Sequence, residues 1–143
     1  KHYLALVKGH WRGGERVVTV NLGDTRPGGG ERRVRVDQEG KVSSTRFMPQ
    51  AVYSDATLVE ARPLTGRTHQ IRVHAAHVGH PLAGDDKYGD RDFNRGLRRR
   101  GLRRLFLHAR ALSFEDPATG RVITLDAPLP APLQEVLNTY DTD

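Results

Sequence analysis

The sequence predicts an α+β fold, built on a largely antiparallel mixed sheet with a few helices. Short segments rich in valine, leucine and isoleucine recur along its 143 residues, and only two segments have a helical pattern. The strand-like segments do not alternate regularly with helices, so a parallel sheet is not expected. The length suits one domain that covers residues 1–143.

The predicted strands are short and end at turn residues. Lys8-Gly9 closes the first, Ser54-Asp55 separates the third from the fourth, and 117–120 separates the last two. Between the second and third lies Gly23–Lys41, whose Pro27-Gly28-Gly29-Gly30 run predicts a mobile surface loop without the spacing of a phosphate-binding loop. The predicted strands are Tyr3–Val7, Glu15–Asn21, Ala51–Ser54, Thr57–Ala61, Leu105–Phe114 and Arg121–Asp126.

One helix is predicted over Thr68–Val78, with Thr68 as N-cap and Gly79 as the stop. Its apolar stripe is Ile71, Ala75 and Val78, at i, i+4 and i+7. A second, short helix is predicted over Leu133–Leu137 at the C-terminal end of the chain.

Arg72 lies off the apolar stripe of the first helix, on the face that it shares with His69 and Ala76. A buried helix could hold this guanidinium toward a cleft, where it would meet a carboxylate or phosphate. An ordinary arginine on a solvated helix face fits the same spacing. Periodicity alone favours the surface arginine.

The charge balance indicates a polyanionic partner. The net charge is +6, from 23 basic and 17 acidic residues, and nucleic acid is the usual partner of such a chain. Six arginines fall in Arg95–Arg104, which follows the polar segment Asp85–Asn94. A solvated loop is one interpretation of this run, but without interleaved acids it repels itself, and phosphate neutralisation is the alternative. Arg32, Arg33 and Arg35 repeat the pattern more weakly.

Several classes of function are excluded or disfavoured. The chain has no cysteine, so disulfides, thiolate zinc sites and cysteine nucleophiles are excluded. No segment reaches the roughly 18 apolar residues of a membrane span. A metal hydrolase is an alternative, because four histidines crowd one region: His69, His74, His77 and His80. Without a metalloprotease-type helix motif, however, we expect these histidines to be hydrogen-bonded within the fold, and no metal.

Several sequence blocks, in this order, resemble the RluA branch of the RNA pseudouridine synthases. The resemblance covers essentially the whole chain, and the 67–74 block is specific to that branch. Two further stretches, 26–37 and 85–93, are similar to the RluC type, which modifies uridines of 23S ribosomal RNA. The blocks are 1–7 (KHYLALV), 63–74 (PLTGRTHQIRVH), 79–81 (GHP), 84–89 (GDDKYG) and 105–109 (LFLHA).

The resemblance implies isomerisation of uridine to pseudouridine, without cofactor or metal, on a base flipped out of its helix. Tyr3 matches the family tyrosine that stacks on the flipped base and is a candidate for removing its carbon-5 proton. Arg72 matches the family arginine that pairs with an essential aspartate. The expected RNA-binding residues are Arg67, His69, Lys87, Arg98, Arg99, Arg100, Arg103 and Arg104. The resemblance also implies a monomeric, cytoplasmic protein with 23S ribosomal RNA as partner and no membrane association.

The chain departs from the family pattern in one respect: the His-Arg-Leu-Asp motif that carries the essential aspartate does not occur in it. We therefore expect a C-terminal portion of the catalytic domain, inactive alone, with that motif and an S4-like RNA-binding domain upstream. The alternative is a non-catalytic RNA-binding module, which would leave Tyr3 and Arg72 no reason to be together.

Overall fold

The computed structural model describes residues 1–24 and 33–142, which form eight strands and three α-helices. The strands are β1 (His2–Lys8), β2 (Arg16–Thr19), β3 (Leu22–Asp24), β4 (Val34–Val36), β5 (Ser44–Val52), β6 (Ala56–Pro63), β7 (Leu107–Glu115) and β8 (Val122–Asp126). The helices are α1 (Gln70–His77), α2 (Arg91–Arg99) and α3 (Ala131–Thr139), and a 3₁₀ turn, Tyr140–Thr142, follows α3.

A six-stranded sheet in the order β2-β5-β6-β1-β7-β8 forms the centre of the molecule. Each neighbouring pair in it is antiparallel. The predicted α+β class is therefore confirmed. The described residues contain no helix that is long and apolar enough to cross a membrane.

Alternation along β1 divides the core between the two faces of this sheet. Ala5 and Val7 belong to the cluster that includes Ile71 and Ala75 of α1. Leu6, between them, belongs to the cluster that contains residues of α2 and α3. One strand thus anchors α1 on one face and the other two helices on the opposite face, and this arrangement positions the site.

The basic segment contains a helix, α2, that the sequence pattern does not predict. α2 spans the end of the predicted polar segment and half of the predicted basic loop. Asp90 caps it by accepting a 2.8 Å hydrogen bond from the backbone N–H of Phe93. Phe93 and Leu97, at i and i+4, are buried in the core, and Leu102 follows them beyond the helix. These apolar contacts stabilise the helix, although the other residues of the segment are nearly all polar or charged.

Two short strands, β3 and β4, overlap the predicted loop over Gly23–Lys41. β3 and β4 pair antiparallel, and Leu22 and Val34 bury their side chains against Val73 of α1. A three-residue strand is too short to show a recognisable alternation of apolar and polar residues. These two strands are stabilised by the packing of their apolar side chains against α1. The glycine run lies in 25–32, outside the described residues.

The first predicted helix is present but begins two residues later than expected. His69, not Thr68, is the N-cap, with φ = 55°, in the left-handed region that side chains other than glycine rarely adopt. The Gln70 side-chain oxygen accepts from the Arg67 N–H and the Thr65 hydroxyl, so these preceding residues form a turn. The helix ends at His77, close to the predicted stop at Gly79, and its Ile71, Ala75 and Val78 stripe packs in one cluster as predicted.

Candidate active site

Tyr3 of β1 and Arg72 of α1 line one cavity of about 390 Å³ beside the end of β1. Ile71, Leu105 and Leu107 provide apolar lining. A pocket with apolar walls and a few polar groups suits a planar base. Tyr3 and Arg72, the two candidate catalytic residues, therefore line the same cavity, although 69 positions separate them in the chain.

The Arg72 guanidinium is already engaged in a charge-assisted pair within this chain. Its Nε donates to Asp85 Oδ2 at 2.8 Å and its Nη2 donates to Asp85 Oδ1 at 2.7 Å. The family resemblance implies an upstream aspartate as the partner, but the structure pairs the Nε–Nη2 edge of the guanidinium with Asp85. The side chain of Arg72 is only 14% exposed, so it is not the ordinary surface arginine that periodicity favoured.

The electrostatics of this pair favour two charged partners. Burial alone would raise the pKa of Asp85, but hydrogen bonds from Arg72 and from the backbone N–H groups of Tyr88 and Lys87 outweigh it and leave that pKa lowered. The hydrogen bond to Asp85 raises the pKa of Arg72 further, against the opposing effect of burial. The site therefore holds a permanent positive charge with a fixed orientation.

Tyr88 supports Arg72 from a second side. Its ring centroid lies 5.1 Å from the guanidinium carbon, within cation–π range. Its hydroxyl accepts from the backbone N–H of Val34 at 2.9 Å and lies 2.7 Å from Nδ1 of His69. Because the Val34 N–H already donates to this oxygen, the hydroxyl hydrogen is available for His69. His69, whose backbone is in the left-handed region, is thus hydrogen-bonded to Tyr88 in the same loop as Asp85.

The other polar residues of the 67–74 block have structural roles. His74 is fully buried; its Nε2 lies 2.9 Å from the Val20 carbonyl and its Nδ1 lies 2.8 Å from the Thr45 hydroxyl. Because the carbonyl can only accept, Nε2 carries the proton, and burial lowers the pKa of His74. Buried Gln70 donates to Thr45 Oγ1 and to the Ser44 carbonyl. The expectation of hydrogen-bonded histidines is therefore confirmed for His74.

A second, arginine-rich cleft of about 780 Å³ adjoins the Tyr3 cavity, since Arg72 lines both. Among the described residues, five arginines and two aspartates line this cleft, so its lining is strongly positive. Arg91 belongs to it but was not singled out in the sequence. The arginines are Arg72, Arg91, Arg98, Arg103 and Arg104.

The residues expected to bind RNA do not all occupy equivalent positions. Arg98 and Arg104 line the cleft and are exposed, whereas Arg99 is exposed on α2 outside the lining. Arg103 donates to the Arg98 carbonyl at 2.7 Å, at the end of α2. Arg100 turns away: its guanidinium lies 3.7 Å from the ring centroid of Tyr140 and donates to the Thr139 hydroxyl.

Two of the remaining three residues line the Tyr3 cavity. Arg67 and His69 line it, and Arg67 Nε donates to the Val42 carbonyl at 3.1 Å. Lys87 lies in the loop of Asp85 and lines neither cavity; its carbonyl accepts from Arg33 at 3.2 Å. Among the described residues no group of three or more histidine, aspartate or glutamate side chains could hold a metal ion.

Comparison with known proteins identifies the family. The family model for RNA pseudouridylate synthase matches residues 1–77, which include Tyr3 and Arg72. The chain belongs to the RNA pseudouridylate synthase family. Human RNA pseudouridylate synthase domain containing 1 superposes with a TM-score of 0.74 at 29% identity, over 91% of this chain and 54% of that one. The corresponding human domain containing 4 gives 0.77 at 25% identity, over 99% and 62%.

Curated relatives of this chain are more similar to it in sequence than these two structures are. It is 52% identical over 139 residues to ribosomal large subunit pseudouridine synthase C of Escherichia coli (strain K12), covering 96% of this chain and 44% of that protein. It is 50% identical to the protein of the same name from Pasteurella multocida, covering 96% and 42%. The chain therefore spans less than half the length of these relatives.

Proposed function

We propose that the protein to which this chain belongs converts specific uridines of 23S ribosomal RNA to pseudouridine. The observation that carries the proposal is the meeting of Tyr3 and an oriented, charged Arg72 at one apolar-walled cavity. The names of relatives that share about half of its residues support the choice of large-subunit RNA. The adjoining arginine cleft supplies the charge that an RNA backbone requires.

In this proposal the target uracil leaves its helix and enters the cavity beside the Tyr3 ring. The bond between N1 and the ribose breaks, the base rotates, and a bond forms from carbon 5 to the same ribose carbon. Carbon 5 then loses its proton, to Tyr3 as the candidate base, and N1 ends protonated, so the reaction is balanced as an isomerisation. The catalytic aspartate comes from an upstream His-Arg-Leu-Asp segment that these residues do not include.

The test compares two polypeptides on fragments of 23S RNA. A protein that carries this chain behind a His-Arg-Leu-Asp segment should form pseudouridine at defined sites, mapped by carbodiimide treatment and primer extension. A polypeptide limited to the 143 residues should form none, because positioning and electrostatics cannot replace the missing carboxylate. Site-specific modification by the short polypeptide would refute the assigned role of that aspartate, and RNA binding without modification by the long one would favour a non-catalytic RNA-binding module.

RNA binding by the longer protein should depend steeply on salt through the exposed arginines around the cleft. Replacing the exposed cleft arginines Arg91, Arg98 and Arg104 with glutamine should reduce the slope of log affinity against log salt by about 2–3 units, because each phosphate contact releases roughly one counterion. Arg100 is left intact because its side chain packs on Tyr140. Fluorescence anisotropy from 50 to 300 mM salt measures the slope.

The control for this experiment is a second triple glutamine variant, at arginines that are exposed and line neither cavity. It removes the same charge from the protein, so an equal loss of slope in both variants would mean that net charge, and not the cleft, determines binding. The control positions are Arg12, Arg110 and Arg121.

A further inference from the structure

Asp85 is the most completely enclosed acid around the two cavities. Its side chain has 0% exposure, and its carboxylate accepts four hydrogen bonds. Two come from Arg72; the other two come from the backbone N–H groups of Lys87 and Tyr88, both at 3.0 Å to Oδ1. A buried carboxylate with this many donors is fixed in one orientation and stays ionised.

The loop that carries Asp85 is itself fixed by α2. The Asn94 amide donates to the Asp85 carbonyl and accepts from the Gly84 N–H, both at 2.9 Å. Gly89 lies so close that a Cβ there would collide with the Asp85 carbonyl oxygen. α2 therefore has a second role besides carrying exposed arginines: through Asn94 it anchors the loop of Asp85, the acid that pairs with Arg72.

The pair leaves one edge of the arginine available. Asp85 takes up Nε and one hydrogen of Nη2, whereas Nη1 has no hydrogen-bond partner among the described residues. A guanidinium can bind one carboxylate along its Nε–Nη2 edge and a second along its Nη1–Nη2 edge. The structure therefore leaves room for a second anion without breaking the first pair.

We infer that Asp85 is a positioning residue for the isomerisation: it holds Arg72 by one edge so that the other edge receives the catalytic carboxylate from upstream. This inference rests on the proposed function. Asp85 itself does not touch the substrate, and it acts through the orientation of Arg72. Removing it should slow chemistry and leave RNA binding nearly intact, because Asp85 is buried and the exposed arginines of the cleft, Arg98 and Arg104, are retained.

Asp86 provides a matched control one residue away. Its side chain is 89% exposed, and its nearest approach to Arg72 is 3.8 Å, beyond a hydrogen bond. Asp85→Asn and Asp86→Asn remove the same charge from adjacent positions of one loop. A through-space charge effect would appear in both variants, whereas positioning by hydrogen bonds should appear only in the first.

The test is a double-mutant cycle in the protein that carries the upstream segment. Asp85→Asn should lower the single-turnover rate at saturating RNA at least ~10-fold and change RNA affinity less than about threefold. Asp86→Asn should change that rate less than about twofold, and it should raise rather than lower RNA affinity because it removes a negative charge from the lining of the arginine cleft. In an Arg72→Ala background, Asp85→Asn should have no further effect on the rate, since there is nothing left to position. An equal loss in both backgrounds would overturn the inference.

A second variant and a second readout keep the inference testable if Asp85→Asn does not fold or the enzyme is inactive. Asp85→Glu retains the charge but moves it by one methylene, and should also lower the single-turnover rate at least ~10-fold; full activity would overturn the positioning role of Asp85.

The second readout is nuclear magnetic resonance of the 143-residue chain. The Arg72 Nε–H resonance should be shifted and protected from exchange, and should lose that protection in Asp85→Asn but not in Asp86→Asn. Failure of wild-type activity would refute the proposed function, while an unprotected Arg72 Nε–H would refute the inference about Asp85.

Discussion

Replacing Tyr3 with phenylalanine should lower the single-turnover rate of pseudouridine formation by at least about 100-fold, or roughly 2.7 kcal/mol in the barrier. The ring that would stack on the base is retained, and only the hydroxyl that could take the carbon-5 proton is lost. General bases contribute factors of about 10²–10⁴. Tyr3 lies on the wall of the cavity with Arg72, where the base is proposed to bind.

The measurement is tritium release from RNA labelled at carbon 5 of uridine, followed under single-turnover conditions. Affinity for RNA should change less than about threefold, because stacking remains. Tyr53→Phe serves as the control, since Tyr53 stacks on Tyr140, away from the cavity. Tyr3→Phe protein that releases tritium at a near-normal rate would exclude Tyr3 as the base.

Truncation of Arg72 to alanine should also reduce the single-turnover rate at least ~100-fold, about 2.7 kcal/mol. Two losses combine: the upstream carboxylate loses its cation, and buried Asp85 loses two of its four donors. A partly desolvated carboxylate without its arginine is more easily protonated, and a neutral acid is a poor nucleophile. RNA affinity should fall less than about tenfold, or 1.4 kcal/mol, because the exposed arginines are unchanged.

Lysine should restore little of this rate. An ammonium group is a single point of charge without the planar fork, so it cannot bind Asp85 along one edge and a second carboxylate along the other. Arg98→Ala is the matched control, expected to weaken RNA binding while the rate at saturating RNA stays near normal. If Arg72→Ala kept the rate and lost affinity instead, Arg72 would be a phosphate contact.

The elements that the sequence predicted well are those whose local pattern and tertiary role agree. β1 is a continuous apolar run, and it is the buried strand that separates the two halves of the core. α1 has an apolar stripe that ends near a glycine, and the stripe packs as expected. The prediction failed for α2, whose local composition does not reflect its place in the core. This helix has one buried apolar residue per turn among arginines, and a segment of that composition is expected to be a solvated loop.

The same contrast holds at the site. Residue identity and motif order were enough to single out Tyr3 and Arg72, because each matches a family position within a block. They could not assign the partner of Arg72, because Asp85 is 13 residues away and only the anchoring of its loop brings the carboxylate to 2.8 Å. Nor could they separate Arg100, stacked on Tyr140, from exposed Arg99 beside it.

The sequence by itself thus determined the α+β class, the positive net charge and the family resemblance that singles out Tyr3 and Arg72, since these depend on composition, local periodicity and residue identity. Only the tertiary structure decided that Arg100 packs on Tyr140, that Asp85 pairs with Arg72, and that the Tyr3 cavity adjoins the arginine cleft. The physical reason is that hydrogen bonds and ion pairs act over about 3 Å through space. The packing of α1, α2 and the 84–89 loop brings these residues within that distance. Their spacing along the chain does not predict which of them will be in contact.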